Sequence, residues 1–233
     1  MNILLASTSV VFGSGYLEYI REEIAALFTG LDEIIFIPYA RPGGIRHDEY
    51  TAKVKQFFSP LNIHVKGLHT FDDPRQALKV AQGFFTGGGN TFLLVKTLHE
   101  LELMDALKSE VTQGKPYLGA SAGTNIAGIN MQTTNDMPIV YPPSFRTMGL
   151  VPFNINPHYI DPVEGSMHMG ETRETRLMEF LTQNITPVVE LREGSWLRVT
   201  GADISLQGKL PARIFTNNKA PYELATGMLP AEL

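Results

Sequence analysis

Four short apolar runs, each closing on small or turn-forming residues, limit what this chain can build. "NILLAS" (2–7), "EIIFIPYA" (33–40), "GFFTGGG" (83–89) and "PYLGAS" (116–121) are continuous rather than alternating. A strand with one wet face alternates apolar and polar residues, whereas a continuous run suits a strand buried on both faces, as in a parallel sheet. Between the runs, "GYLEYIREEIAALF" sets Leu17, Ile20, Ile24 and Leu27 at helical spacing. "DEYTAKVKQFF" and "NTFLLVKTLHELELMDALKSEV" do the same, with their charges on the other face. This alternation predicts an α/β fold, a doubly wound and mostly parallel sheet with flanking helices.

The last third has a different pattern. "GETRETRLMEFLTQN" (170–184) predicts a helix and "PVVEL" a strand at the sheet edge, while "SWLRVTGADISLQGKLPARIFTNN" predicts C-terminal antiparallel hairpins. No repeat, low-complexity tract or linker interrupts the chain, and "DMPIVYPPSF" (136–145) reads as an ordered loop. Residues 1–233 therefore read as one domain, since single cores keep growing to about 250–300 residues.

Composition removes several function classes. The net charge is -5 with no basic run, which argues against nucleic acid and anionic membranes as partners. No apolar run approaches the ~20 residues of a membrane span. The start "MNILLASTSVVFGSG" has no basic residue before its apolar run, so a buried strand is expected there and not a signal peptide. There is no cysteine, hence no disulfide, thiolate metal site or cysteine nucleophile, and a cytoplasmic location is the expectation. No metal-ligand spacing such as H-E-x-x-H occurs among the histidines, so neither metal nor cofactor is expected.

Chemistry concentrates at a few motifs. Gly119-Ala120-Ser121-Ala122-Gly123 follows an apolar strand and precedes a short helix, the context of a nucleophile elbow; small residues packing a helix on the sheet would look the same. In "TGGGNT" (86–91) three glycines allow backbone N–H groups to converge as an oxyanion hole, with Asn90 a candidate both for capping the next helix and for substrate binding. The loop lacks the spacing of a P-loop or of a dinucleotide fingerprint. His158 in "NINPHYI" gains interest because a serine nucleophile needs a base; the other five (His47, His64, His69, His99 and His168) have no partner motif. Two carboxylates, Asp136 in "TTNDMP" and Glu193 in "LREGSW", are both candidates to orient it. Arg173 and Arg176 in "GETRETR" are either surface ions or a fork for a substrate carboxylate.

Taken in order, "GGGNT", "GASAGTN", "TTNDMPIV", "INPHY", "GETRE" and "EGSW" resemble the peptidase E family, serine peptidases whose wider family includes cyanophycinase. The resemblance runs from the first strand to beyond Trp196. It implies a fold similar to class I glutamine amidotransferases, with Ser121 as nucleophile in place of their cysteine and His158 as general base. The third member is implied to be Glu193 or Asp136; the post-strand loop of Glu193 suits the direct contact, leaving Asp136 to shape the pocket. Backbone N–H groups of Gly88 and Ala122 would hold the oxyanion. The implied activity is that of an exopeptidase cleaving Asp-X dipeptides through an acyl-enzyme, with Arg173 first and Arg176 second as partners of the aspartate side chain. A small Ala120 inside the elbow bears on the pocket wall. A cyanophycinase-like hydrolase of β-Asp-Arg material and a non-catalytic amidotransferase-like binding module are the alternatives. A small peptide is the expected partner, and monomer and homodimer both stay open.

Overall fold

The strand–helix alternation is present, but it is divided between two sheets. A computed structural model of the protein describes residues 1–161 and 170–233, so His168 lies outside the described residues. In chain order the elements are β1 (Asn2–Ala6), α1 (Arg21–Leu27), β2 (Glu33–Ile37), α2 (His47–Phe58), β3 (His64–Gly67), α3 (Pro74–Val80) and β4 (Phe84–Thr86). There follow α4 (Thr91–Glu100), α5 (Met104–Thr112), β5 (Tyr117–Ala120), α6 (Ala122–Asn125), β6 (Asn154–Tyr159) and α7 (Arg173–Gln183). The chain ends with β7 (Val188–Arg192), β8 (Ser195–Thr200), β9 (Asp203–Gly208), β10 (Ala212–Phe215), β11 (Tyr222–Leu224) and β12 (Gly227–Met228).

The larger sheet has the order β12-β9-β8-β1-β5-β4-β2-β3. Its strands β1, β5, β4, β2 and β3 are parallel to their neighbours, and β8 turns the sheet antiparallel against β1. The continuous apolar runs supply this parallel part. Alternate residues of each strand enter opposite layers: Ile3, Leu5, Ile35 and Phe84 pack with α3, α4 and α5, while Leu4, Ile34, Phe36 and Phe85 pack with α1 and α2. Each such side chain contributes roughly 1.5–3 kcal/mol relative to exposure, which fixes the register of the strand ends.

The expectation of one sheet is corrected here. β6 and β7 form a smaller sheet with β10 and β11, in the order β11-β10-β7-β6. β1 carries β5 on one side and β8 on the other, and "PVVEL" pairs with β6 and β10 in the smaller sheet instead. The chain passes from the smaller sheet back to the larger one within two residues, Glu193 and Gly194. The hairpin β8–β9 forms as expected.

Two helix predictions also change. The single helix read over 90–111 is two, because Glu102 adopts φ 54° and ends α4. Leu103 N donates to Leu98 O at 2.7 Å and Glu102 N to His99 O at 3.0 Å, a Schellman stop with buried Leu98 and Leu103 in contact range of one core. No glycine announces it. Leu17, Ile20, Ile24 and Leu27 are all buried, but Leu17 is itself left-handed and the regular helix starts at Arg21. Among the described residues, no helix is long and apolar enough to cross a membrane.

Candidate active site

Ser121 stands between β5 and α6 with φ 55° and ψ -112°, a conformation that costs a non-glycine residue of order 1–3 kcal/mol. Its surroundings hold it there. Ser121 N donates to Ala6 O at 3.2 Å, and Ser121 O accepts from Thr124 N and Asn125 N at 2.9 Å each. Tyr117 Oη donates to Gly123 O at 2.7 Å, and Thr124 Oγ1 to Ala6 O at 2.6 Å. A side chain on Gly119 would meet Gly123 O at 2.6 Å, and one on Gly123 would fall on the carbonyl of Thr86. The glycines are therefore a packing seam, and the serine rides on that seam as an elbow.

His158 lies at the end of β6, where the pairing with β7 shifts register between Pro157 and Tyr159. Its Nε2 is 2.9 Å from Ser121 Oγ, and its Nδ1 is 2.7 Å from Glu193 Oε1. An ionised carboxylate only accepts, so Nδ1 carries the hydrogen and Nε2 accepts from the hydroxyl. Glu193 occupies the turn between the two sheets, with its side chain 52 % exposed.

The second acid goes elsewhere. Asp136 Oδ2 accepts from Thr91 N at 2.7 Å and from Thr134 Oγ1 at 3.2 Å. It sits at the N-terminus of α4, where the helix dipole favours negative charge. Asn90 caps the same helix, its Oδ1 accepting from Leu93 N at 3.0 Å, while its Nδ2 donates to Met137 O at 2.9 Å. Both ends of the Asn90 amide are thus engaged in tying "GGGNT" to "TTNDMP", and its expected role as a cap is filled.

Gly88 and Ala122 flank the serine. A Cβ on Gly88 would lie 2.9 Å from Ser121 Cβ and 3.3 Å from its Oγ, so only glycine lets this backbone approach the hydroxyl. Ala122 is the first residue of α6, where a helix N–H has no partner within the helix.

Beside His158 opens a pocket of about 430 Å³ whose polar lining includes Asn135, Asp136, Asn156, Arg173 and Arg176. Arg173, half-buried, donates from Nη1 to His158 O at 2.6 Å and to Asn156 Oδ1 at 3.3 Å. Burial pulls its pKa down, and among the described residues no carboxylate pairs with it. Arg176 is exposed, 3.9 Å from Glu171. Of the two arginines, only Arg173 is brought to the relay.

The family model for peptidase family S51 matches residues 3–207. The chain belongs to that family. It is 50% identical over 233 residues to peptidase E of Streptomyces coelicolor, spanning 100% of this chain and 95% of the relative. It is 48% identical over 227 residues to a Drosophila melanogaster protein named a probable α-aspartyl dipeptidase, spanning 96% and 93%. A solved peptidase from an acI-B1 Actinobacterium superposes with a TM-score of 0.70 at 16% identity, covering 97% of this chain and 94% of that one, a likeness of fold. This S51 member is a serine-type dipeptidase on an α/β fold with a mixed sheet and flanking helices.

Four residues of this S51 peptidase at or behind the site were not among the sequence candidates. Asn135 and Asn156 exchange amide hydrogen bonds at 2.9 Å each and line the pocket. The alternation Asn154, Asn156, His158 in "NINPHY" writes a polar face on a strand and is the signal that could have found Asn156. Ser7 accepts from His158 N at 2.9 Å and donates to Leu191 O at 2.8 Å. Glu190, in β7, is 0% exposed, and both its carboxyl oxygens lack a hydrogen-bond partner among the described residues. Burial, opposed by Arg173, Arg192 and Arg213, pushes it up to about 8. Arg192 is satisfied by Asp161 and Glu223, and Arg213 by Glu174 and Glu223.

Proposed function

We propose that this dipeptidase cleaves dipeptides with an N-terminal aspartate, using Ser121 as nucleophile, His158 as general base and Glu193 as its orienting acid. The observation that carries the proposal is the unbroken hydrogen-bond relay Ser121–His158–Glu193 opening beside Arg173, a cation with no described carboxylate partner.

Ser121 Oγ attacks the peptide carbonyl as His158 Nε2 takes its proton. Glu193 keeps Nδ1 protonated and stabilises the imidazolium. The tetrahedral oxyanion is held by the N–H groups of Gly88 and Ala122, a type of contact worth about 3–4 kcal/mol of barrier per donor. His158 then protonates the departing amine, and water, deprotonated by the same nitrogen, resolves the acyl-enzyme. Arg173 takes the aspartate side-chain carboxylate, and Asn135, Asn156 and Asp136 shape the pocket around it. The proposal treats residues 1–233 as one domain, since the relay needs both sheets, and the fold as similar to class I glutamine amidotransferases with serine in place of cysteine.

Purified protein offered Asp-Leu, Asn-Leu, Glu-Leu and a β-Asp-Arg peptide should cleave Asp-Leu alone, and Ser121→Ala should abolish it. Arg173→Met should lower kcat/KM for Asp-Leu roughly 10- to 100-fold through KM, the size of a lost hydrogen bond to a charged group. Arg176→Met should change it less than threefold. Turnover by Ser121→Ala, or equal effects at the two arginines, would overturn the corresponding roles.

A further inference from the structure

The nucleophile belongs to the larger sheet and the base to the smaller one, so something has to set the distance between them. Chain connectivity does this poorly, because Ser121 and His158 are 37 residues apart. The register shift between Pro157 and Tyr159 takes His158 out of the β6–β7 ladder and leaves it at φ 59°, in the left-handed region. A bulged residue of this kind has an unpaired N–H, and burial without an acceptor is costly.

That N–H ends on Ser7. The residue is 0% exposed and follows β1 directly. Ser7 Oγ accepts from His158 N at 2.9 Å and donates its own hydrogen bond to Leu191 O at 2.8 Å, two residues before Glu193. Ser7 N donates to Ser195 O at 3.1 Å, two residues after Glu193. The residue before it, Ala6, accepts from Ser121 N at 3.2 Å. Ala6 and Ser7 together therefore touch the backbone of all three relay segments, and the Ser7 hydroxyl is the only side chain among these contacts that reaches both His158 and the strand leading to Glu193.

We propose that Ser7 is a positioning residue for catalysis: its hydroxyl fixes the strained backbone of His158 and the turn of Glu193 against the sheet that carries Ser121. A serine hydroxyl suits the task because it donates once and accepts at the same time. Alanine would keep the packing and remove both bonds. The imidazole would then shift relative to Ser121 Oγ, pivoting on the His158 carbonyl that Arg173 holds at 2.6 Å, so that the pocket around Arg173 and Asn156 stays in place. A misplacement near 1 Å costs about 100-fold in rate when geometry is the catalytic resource.

This role requires His158 to be the base proposed above, so His158→Ala is measured alongside. Activity surviving in His158→Ala would overturn the relay, independently of Ser7. With the relay intact, Ser7→Ala is expected to lose 10- to 100-fold in kcat per titrated active site, with KM for Asp-Leu within twofold. Phosphonylation of Ser121 by a fluorophosphonate, which needs no aspartate pocket, should slow by the same factor. A purely structural serine would lower the melting temperature and leave the titrated kcat and phosphonylation rate unchanged, and that outcome overturns the proposal. Equal losses in kcat and in substrate affinity also overturn it, since the pocket would then have moved with the histidine. Should Ser7→Ala not fold, the same measurements on Ser7→Cys, whose thiol is a weaker donor and acceptor of similar size, decide on the same criteria.

Discussion

The two sheets bring unlike materials to one relay. On the larger sheet, Ser121 itself is held by backbone: its N–H on the Ala6 carbonyl, its own carbonyl under Thr124 N and Asn125 N, glycines that permit close approach, and a core that is apolar on both faces. On the smaller sheet, the base and the pocket are held by side chains of distant segments, with Ser7, Asn135 and Arg173 all bonding into β6. The difference teaches where each half is brittle. Close-packed backbone tolerates no added atom, whereas a side-chain network loses function one hydrogen bond at a time.

The largest effect should come from breaking the backbone half. In Gly123→Ala the new methyl group falls on the carbonyl of Thr86, and neither α6 nor β4 has a flexible end that can yield. Overpacking of ordinary side chains costs about 1–3 kcal/mol; a backbone-to-backbone collision under the elbow should exceed this and leave little folded protein at 37 °C. Thermal melting and the yield of titratable Ser121 measure it. A Gly123→Ala protein that melts within a few degrees of the parent would show that the seam is looser than its contacts imply.

This asymmetry also explains what was legible in the sequence. The parallel strands could be read because burial on both faces writes a continuous apolar run, and the elbow because a backbone approach this close writes glycine at Gly119 and Gly123. The smaller sheet was not legible, since which strands pair with one another is a long-range fact that no local pattern writes. Ser7 carries no local mark, and Asn156 shows only the polar alternation of its strand; each makes its contact with a segment at least 17 residues away. Glu193 and Asp136 were equally plausible by spacing, and only geometry places one on His158 and the other on the cap of α4.

That pair supplies the next largest effect. Glu193→Gln keeps the size of the side chain and removes the charge facing the imidazolium, so kcat should fall by roughly 10²–10⁴ with an unchanged melting temperature. Asp136→Asn removes charge from a helix N-terminus and should cost about 1 kcal/mol of stability, seen in the melt. If Asp136→Asn leaves the melt untouched while Glu193→Gln retains full kcat, the two carboxylates have been assigned the wrong way round.

The smallest effect separates the sheets by pH. Glu190 lies on the smaller sheet between Asn156 and Arg213 in register, fully buried, its pKa raised from 4.5 to about 8, first by burial. Below 4.5 both folded and unfolded chains hold this proton, and the contribution to stability is fully present. Between 4.5 and 8 only the folded chain holds it, so stability falls as pH rises, by at most about 1.4 kcal/mol per pH unit, and the contribution is gone above 8. The neighbouring Asp161 and Glu223 are held low by hydrogen bonds from Arg192, and their contributions are lost only in acid, outside this window. Melting temperature should therefore decline from pH 5 to 8 by up to about 2–4 °C for each kcal/mol lost. Glu190→Gln should flatten the decline and melt above the parent at pH 8. An unchanged slope in Glu190→Gln would move the pH sensitivity out of the smaller sheet and dissolve this part of the contrast with the larger one, whose buried faces carry no titratable carboxylate among the described residues.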